Sequence, residues 1–147
     1  MGHGFQVCID CSDPHALAAW WAATLDWQVE AQDEGFIRQM VDGGYATDAE
    51  TRVVDGRLVW RSGCAIEPRE GERPGPWWPR VLFQEVPEAK TVKNRLHLDL
   101  RTGLTGDDLE AFRARLVERG ATKVGEGRQG PHAWVVFTDP ENNEFCV

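Results

Sequence analysis

Residues 93–101 read KNRLHLDLR. In an extended chain successive side chains point to opposite faces, so Leu96, Leu98 and Leu100 share one face and Arg95, His97, Asp99 and Arg101 the other. A face of leucines needs a cover, and a helix packed on the sheet is the usual one. The opposite face then lines a cavity or meets solvent; the alternation predicts either.

The same pattern occurs near the start, where Phe5, Val7 and Ile9 alternate with Gln6, Cys8 and Asp10 in a strand expected over 4–10. Shifted by about 91 residues, Gln6 falls on His97, Cys8 on Asp99 and Asp10 on Arg101. The helices after the two strands match as well. Asp13 before Pro14 is a helix N-cap with proline in the first turn, and Leu17, Trp20, Trp21, Thr24 and Leu25 mark one helical face. Thr105 with Asp108 forms an acidic variant of the capping box, Leu109, Phe112, Leu116 and Val117 mark the second helical face, and Gly120 supplies the stop.

After the first helix, strands are expected at 27–32 and 36–41 with DEG (33–35) as their turn, then a hairpin at Asp55–Gly56 and a strand RVLFQEV at 80–86. After the second, strands are expected at 122–125, 132–138 and 144–147, with DPENN (139–143) turning the chain into the last. Strand, helix, several strands thus occurs twice. The expected fold is α+β: two tandem βαβββ modules with curved mixed sheets enclosing a concave groove. The chain, 1–147, reads as a single domain, with the first module at about 4–86, a linker at about 87–94 and the second module at about 95–147.

Sixteen Lys and Arg against 24 Asp and Glu leave a formal net charge of −8. Phosphate backbones and anionic lipid surfaces require clustered cations, so neither nucleic acid nor a membrane is an expected partner. No apolar run approaches the ~18 residues of a spanning helix. MGHGFQVCIDCSDP at the N-terminus lacks the basic-then-apolar order of an export signal, which makes a cytoplasmic location the expectation. A strand puts Cys8 and Cys11 on opposite faces, against a redox pair or a zinc knuckle, and the four cysteines read as free thiols. His3 and His15 read as surface residues. Of the seven tryptophans, Trp20 and Trp21 belong to the helix face, while Trp60, Trp77, Trp78 and Trp134 are freer. Trp77 and Trp78, in REGERPGPWWP (69–79), either pack as lids or face a ligand.

SDP (12–14) before the first helix, KNRLHLDLR opening the second half and DPENNEFCV (139–147) closing it resemble the vicinal oxygen chelate superfamily. More narrowly, the chain resembles its glyoxalase-like branch, which includes bleomycin-resistance-type binding proteins. The resemblance implies a small-molecule ligand and a homodimer. It also implies a place for metal ligands: His or Gln on the first strand and Glu on the last strand of each unit, facing the groove. By position the first-strand sites are Gln6 and His97. The last-strand site of the second half is Cys146, and that of the first half is Gln84, or Glu85 if the register slips by one. Gln84 and Cys146 stand where a metal enzyme has carboxylates, so no Mg²⁺ or Mn²⁺ site is implied and no metal is favoured. An ion that did bind would be Zn²⁺ or Ni²⁺ on Gln6, His97 and Cys146.

His97 and Asp99, two apart on one strand face, suit a general acid/base and the carboxylate that orients it. They are the catalytic candidates; the bland alternative has His97 satisfied in the groove and Asp99 paired with Arg95 or Arg101. Ligand-binding candidates are Gln6, Gln84, Arg95, Arg101, Glu144, Cys146, Trp77 and Trp78. Cys146 is a nucleophile or, more simply, a buried inert thiol. The resemblance implies one of two functions: a lyase, isomerase or hydrolase acting on a small organic molecule, or a non-catalytic protein that sequesters one.

Overall fold

Asp13 sets the start of the first helix. Its Oδ1 accepts hydrogen bonds from the backbone N–H groups of His15 and Ala16 at 3.1 and 3.2 Å, and Pro14 takes a first-turn position where no donor is needed. That helix, α1 (Pro14–Leu25), comes after strand β1 (Val7–Cys11) and ends at Asp26, which is left-handed with φ 56°. The computed structural model describes residues 4–73, 75 and 78–147, and the chain divides after Ala89 into two units. His3 and Trp77 lie outside the described residues.

In the first unit α1 leads to β2 (Gln28–Val29), α2 (Glu34–Asp42), the hairpin strands β3 (Thr51–Val54) and β4 (Arg57–Trp60), β5 (Gly63–Glu67) and β6 (Val81–Glu85). The main sheet runs β1-β6-β5-β2, with β1 parallel to β6 and the other pairs antiparallel. Helix α1 lies on β5 and β6, burying Leu17, Ala18 and Trp21 with Cys64, Ile66, Val81 and Phe83. The second unit contains β7 (Leu98–Asp99), α3 (Gly106–Glu118), β8 (Thr122–Gln129), β9 (His132–Thr138) and β10 (Glu144–Cys146). Its sheet runs β7-β10-β9-β8, again with the first strand parallel to the last. With α2 and the separate β3–β4 hairpin set between β2 and β5 of the first, both units are βαβββ modules with mixed sheets, the duplication that the sequence repeat predicts. Phe137 and Phe145 stack at 5.7 Å in the second core, where Val135 and Leu116 of α3 are also buried. Among the described residues no helix is long and apolar enough to cross a membrane.

Several local expectations are corrected. Residues 36–41 form most of α2 rather than a strand, because Asp33 caps the helix through the Phe36 N–H at 3.0 Å and Ile37 buries completely at helical spacing from Met40 and Val41. FIRQMV is too short for periodicity to separate the two readings. The strand expected at 27–32 pairs only over Gln28–Val29. The hairpin at Asp55–Gly56 does form, with φ 49° and 78° at the two turn residues, as a tight two-residue turn requires. It reaches back to α1: His15 is buried with Nε2 2.8 Å from the Trp60 carbonyl oxygen, and Arg52 pairs with Asp13 at 3.2 Å, so His15 is not a surface residue.

The first strand begins at Val7, leaving Phe5 88 % exposed. Leu96, expected under a helix with Leu98 and Leu100, is 89 % exposed. Its strand β7 has two residues and pairs with a three-residue β10, so the ladder ends before Leu96 is reached. Thr105 is the N-cap residue of α3, but its side chain makes no capping hydrogen bond, and Val117 is exposed.

These differences assign unequal weights to side chains that look alike in sequence. Phe145→Ala is expected to lower unfolding free energy by about 3–5 kcal/mol in chemical denaturation, and Leu96→Ser to change it by no more than about 0.5 kcal/mol. A comparable loss from both would contradict the burial described.

Candidate functional site

Phe145 is fully buried on the core side of β10, so its neighbours Glu144 and Cys146 emerge on the opposite face. Pairing with β7 sets Cys146 beside Asp99 and Phe145 beside Leu98. The parity of β7 brings His97 to the same open face. There His97 Nδ1 lies 2.7 Å from Asp99 Oδ1, and donor atoms of His97, Asp99 and Cys146 all fall within 4.8 Å of one another. Val136, the β9 partner of Cys146, shares this face, and Trp134 two residues away lies so close over Gly127 that a Cβ there would overlap the indole.

The electrostatics of the face are uneven. Burial, the Asp99 charge and a hydrogen bond to Asp99 all push the Cys146 thiol up, so it is protonated at neutral pH. Burial also acts to raise the Glu144 carboxyl, but the Asn94 N–H at 3.0 Å and Lys90 at 3.1 Å outweigh it and hold the group below the usual carboxylate range. Glu144 is thereby fixed as an ionised, satisfied group. Arg95 and Arg101 are exposed and, among the described residues, have no hydrogen-bond or ion-pair partner.

His97, Asp99 and Cys146 offer one nitrogen, one oxygen and one sulfur. That set suits a borderline ion such as Zn²⁺ with an open fourth position, and suits Mg²⁺ or Mn²⁺ poorly. A bound cation would supply the positive charge that deprotonates Cys146, opposing Asp99.

In the first unit the open face carries Gln6, Cys8 and Asp10 of the β1 segment beside Arg80, Leu82 and Gln84 of the β6 segment. Arg80 dominates it, donating to both oxygens of Glu30 and to Gln6 Oε1. The Cys8–Leu82 pair occupies the place that Asp99 and Cys146 take in the second unit, whereas Gln84 pairs with Asp10 one step further along the same face and is exposed. Glu85 falls on the other parity. A pocket of about 380 Å³ opens on this face, lined by Glu30, Gln32, Asp33, Phe36, Trp60 and Arg80 among others. Cys64 borders the pocket, but its side chain shares the helix-covered face with Phe83, where burial, with the Glu30 charge, pushes the thiol up to about 11, so it is neutral.

Trp78, a ligand-binding candidate, donates Nε1–H to Glu67 at 2.8 Å and lies under the Arg73 guanidinium at 4.2 Å. Glu67 also accepts from Gln28 and pairs with Arg73 at 2.5 Å, so Trp78 belongs to a fastening of the loop after β5. All four cysteines are free thiols, with Cys8 exposed and Cys11 buried as opposite-facing residues should be. Sequence reasoning missed Glu30 and Arg80. Arg80 had a usable signal, sharing parity with Leu82 and Gln84 in RVLFQEV; Phe36 was hidden by the strand reading of its segment.

A family model described as a glyoxalase-like domain matches residues 6–147. Among solved structures, a hypothetical protein of S. aureus aligns with TM-score 0.57 at 12 % identity, over 99 % of this chain and 96 % of its own. Fosfomycin resistance protein FosX from Mesorhizobium loti aligns with TM-score 0.56 at 13 % identity, over 99 % and 90 %. The oxidase ChaP-H2 aligns with TM-score 0.55 at 13 % identity, over 99 % and 92 %. At these identities the structural likeness speaks for the fold alone. No curated protein matches the chain.

Because the thiolate is the reactive form, the raised Cys146 value has a direct readout. Iodoacetamide labelling of Cys146, monitored by peptide mass spectrometry, is expected to be slow at pH 7, to rise about tenfold per pH unit with the thiolate fraction, and to keep rising past the ordinary thiol value of 9.0 rather than level off there. Asp99→Asn should accelerate it at each pH below that. Equal rates in both proteins would remove Asp99 as a cause.

Proposed function

The chain belongs to the glyoxalase-like domain family of the vicinal oxygen chelate superfamily, and on that premise we propose that it converts a small organic molecule by proton transfer at His97. Proteins of this fold bind or convert small molecules. The observation that supports conversion is the 2.7 Å contact between His97 Nδ1 and Asp99, which leaves Nε2 as the ring nitrogen open to a substrate.

In this mechanism Asp99 is the positioning residue: it holds the Nδ1–H tautomer and balances the imidazolium that forms. A substrate proton passes to Nε2 and is returned to another substrate atom or to a leaving group, so no external acid is consumed. Arg95 and Arg101 serve as ligand contacts from the same segment, with Cys146, neutral and half-buried, beside the reacting group. Zn²⁺ on His97, Asp99 and Cys146 would replace this arrangement rather than assist it, taking the three side chains as ligands and supplying a Lewis acid for a substrate carbonyl. Gln6, placed in the metal set by position, is engaged with Arg80 in the first unit. Relatives often pair, and a homodimer is carried as part of this proposal.

A second reading, sequestration without turnover, draws support from the aromatic-walled pocket of the first unit. The two separate in one experiment. A compound that stabilises the protein in a thermal-shift screen is incubated in deuterated water and monitored by proton NMR. Deuterium exchange or conversion that falls about 100- to 10,000-fold in His97→Ala is the expected result. A compound bound yet chemically unchanged by wild type supports the binder instead.

The donor set makes its own prediction. Zn²⁺ should raise the melting temperature of wild type more than Mg²⁺ does, and Cys146→Ala should abolish the difference. An equal response to both ions would contradict the assignment of these donors.

A further inference from the structure

We propose that the pocket of the first unit, walled by Phe36 and Trp60 and carrying an uncommitted carboxylate oxygen of Asp33, binds the ammonium group of a small apolar or aromatic amine. The inference deepens the small-molecule reading by naming a ligand class, and it does not depend on the chemistry of His97.

Most polar groups in the pocket are already committed. Arg80, its one cation among the described residues, donates through Nε and Nη2 to Glu30 and through Nη1 to Gln6. Gln32 has both ends used: Nε2–H donates to the Gly63 carbonyl at 3.0 Å and Oε1 accepts the Trp60 N–H at 2.7 Å. The Cys64 thiol is neutral and lies on the helix-covered side of its strand, opposite Phe83. Asp33 spends Oδ1 on the Phe36 N–H at 3.0 Å, while Oδ2 and the Ser62 hydroxyl have no partner among the described residues. Both uncommitted groups can accept a hydrogen bond.

Charge points the same way. Glu30 and Asp33 against Arg80 leave the lining with a net charge of about −1 at neutral pH. An anionic ligand would meet two carboxylates and a guanidinium already neutralised. A cation meets a free carboxylate oxygen, with Phe36 and Trp60 in the same lining as aromatic residues whose ring faces attract positive charge. Leu82, Ala65 and the rings supply the apolar surface that a hydrocarbon or aromatic body requires, in a volume typical of small-molecule sites. Phe36 is 51 % exposed, more than a core residue would be, as a side chain that serves a ligand can be.

The test titrates the full chain with 2-phenylethylammonium, 2-phenylethanol and 3-phenylpropionate at one ionic strength, observing the ligand by saturation-transfer NMR. The ammonium compound is expected to bind about tenfold more tightly than the alcohol, and the carboxylate more weakly than either. Asp33→Asn, whose amide oxygen still caps α2, should bring the ammonium compound to the level of the alcohol and leave the alcohol unchanged. Phe36→Ala, at an exposed position, should weaken both, with circular dichroism confirming the fold. Tighter binding of the carboxylate, or an ammonium affinity indifferent to both substitutions, would overturn the inference while leaving a small-molecule function standing. Absence of saturable ammonium binding would overturn it as well.

Discussion

In each unit the first strand lies parallel to the last, β1 beside β6 and β7 beside β10. Parallel neighbours cannot be joined by a hairpin, so a crossover must come between them, and in both units it contains a helix and at least two further strands. That constraint sets everything downstream. It determines which residues share a face, because a parallel register aligns Cys8 with Leu82 and Asp99 with Cys146, and a slip of one would send each to the core. Phe145 and Phe83, both fully buried, are the anchors that forbid such a slip. Burying them obliges Cys146 and Leu82, each adjacent in the chain, to face outward.

The same scaffold therefore carries two chemically different open faces. In the second unit a histidine, a carboxylate and a thiol converge with little else to satisfy them, and Glu144 is kept apart by Lys90 and the Asn94 N–H. In the first unit the equivalent segments present Gln6 and Arg80, with Arg80 also tied to Glu30 after β2, and Leu82 where the second unit has Cys146. The two units share the strand arrangement but not the side chains at equivalent positions of the open face. The two proposals divide accordingly, proton transfer at the face of the second unit and recognition of an amine in the pocket of the first.

Much of this was legible in the chain. The 91-residue offset between Gln6 and His97 exposed the duplicated topology because strand parity and helix capping repeat together. The pairing of His97 with Asp99 was legible for the same reason: two residues apart on a strand means one face. What escaped were features decided by tertiary contact. FIRQMV became a helix because Asp33 caps it and Ile37 finds a buried seat, neither of which a six-residue pattern reveals. His15 looks like a surface residue until the β3–β4 hairpin returns over it. Leu96 looks like core, but the parallel ladder stops short of it. Trp78 looks like a free aromatic, and the Glu67 carboxylate that claims its N–H is eleven residues away in the chain.

The central claim is that Asp99 holds His97 in the Nδ1–H form, leaving Nε2 to exchange protons with a ligand. A long-range nitrogen-15 correlation spectrum of the imidazole, recorded at a pH where the ring is neutral, reads the tautomer directly. The expected result is Nδ1–H as the dominant form in wild type, with that preference lost in Asp99→Ala, which removes the acceptor. A ring protonated mainly at Nε2, or a tautomer balance unaffected by Asp99→Ala, would contradict it.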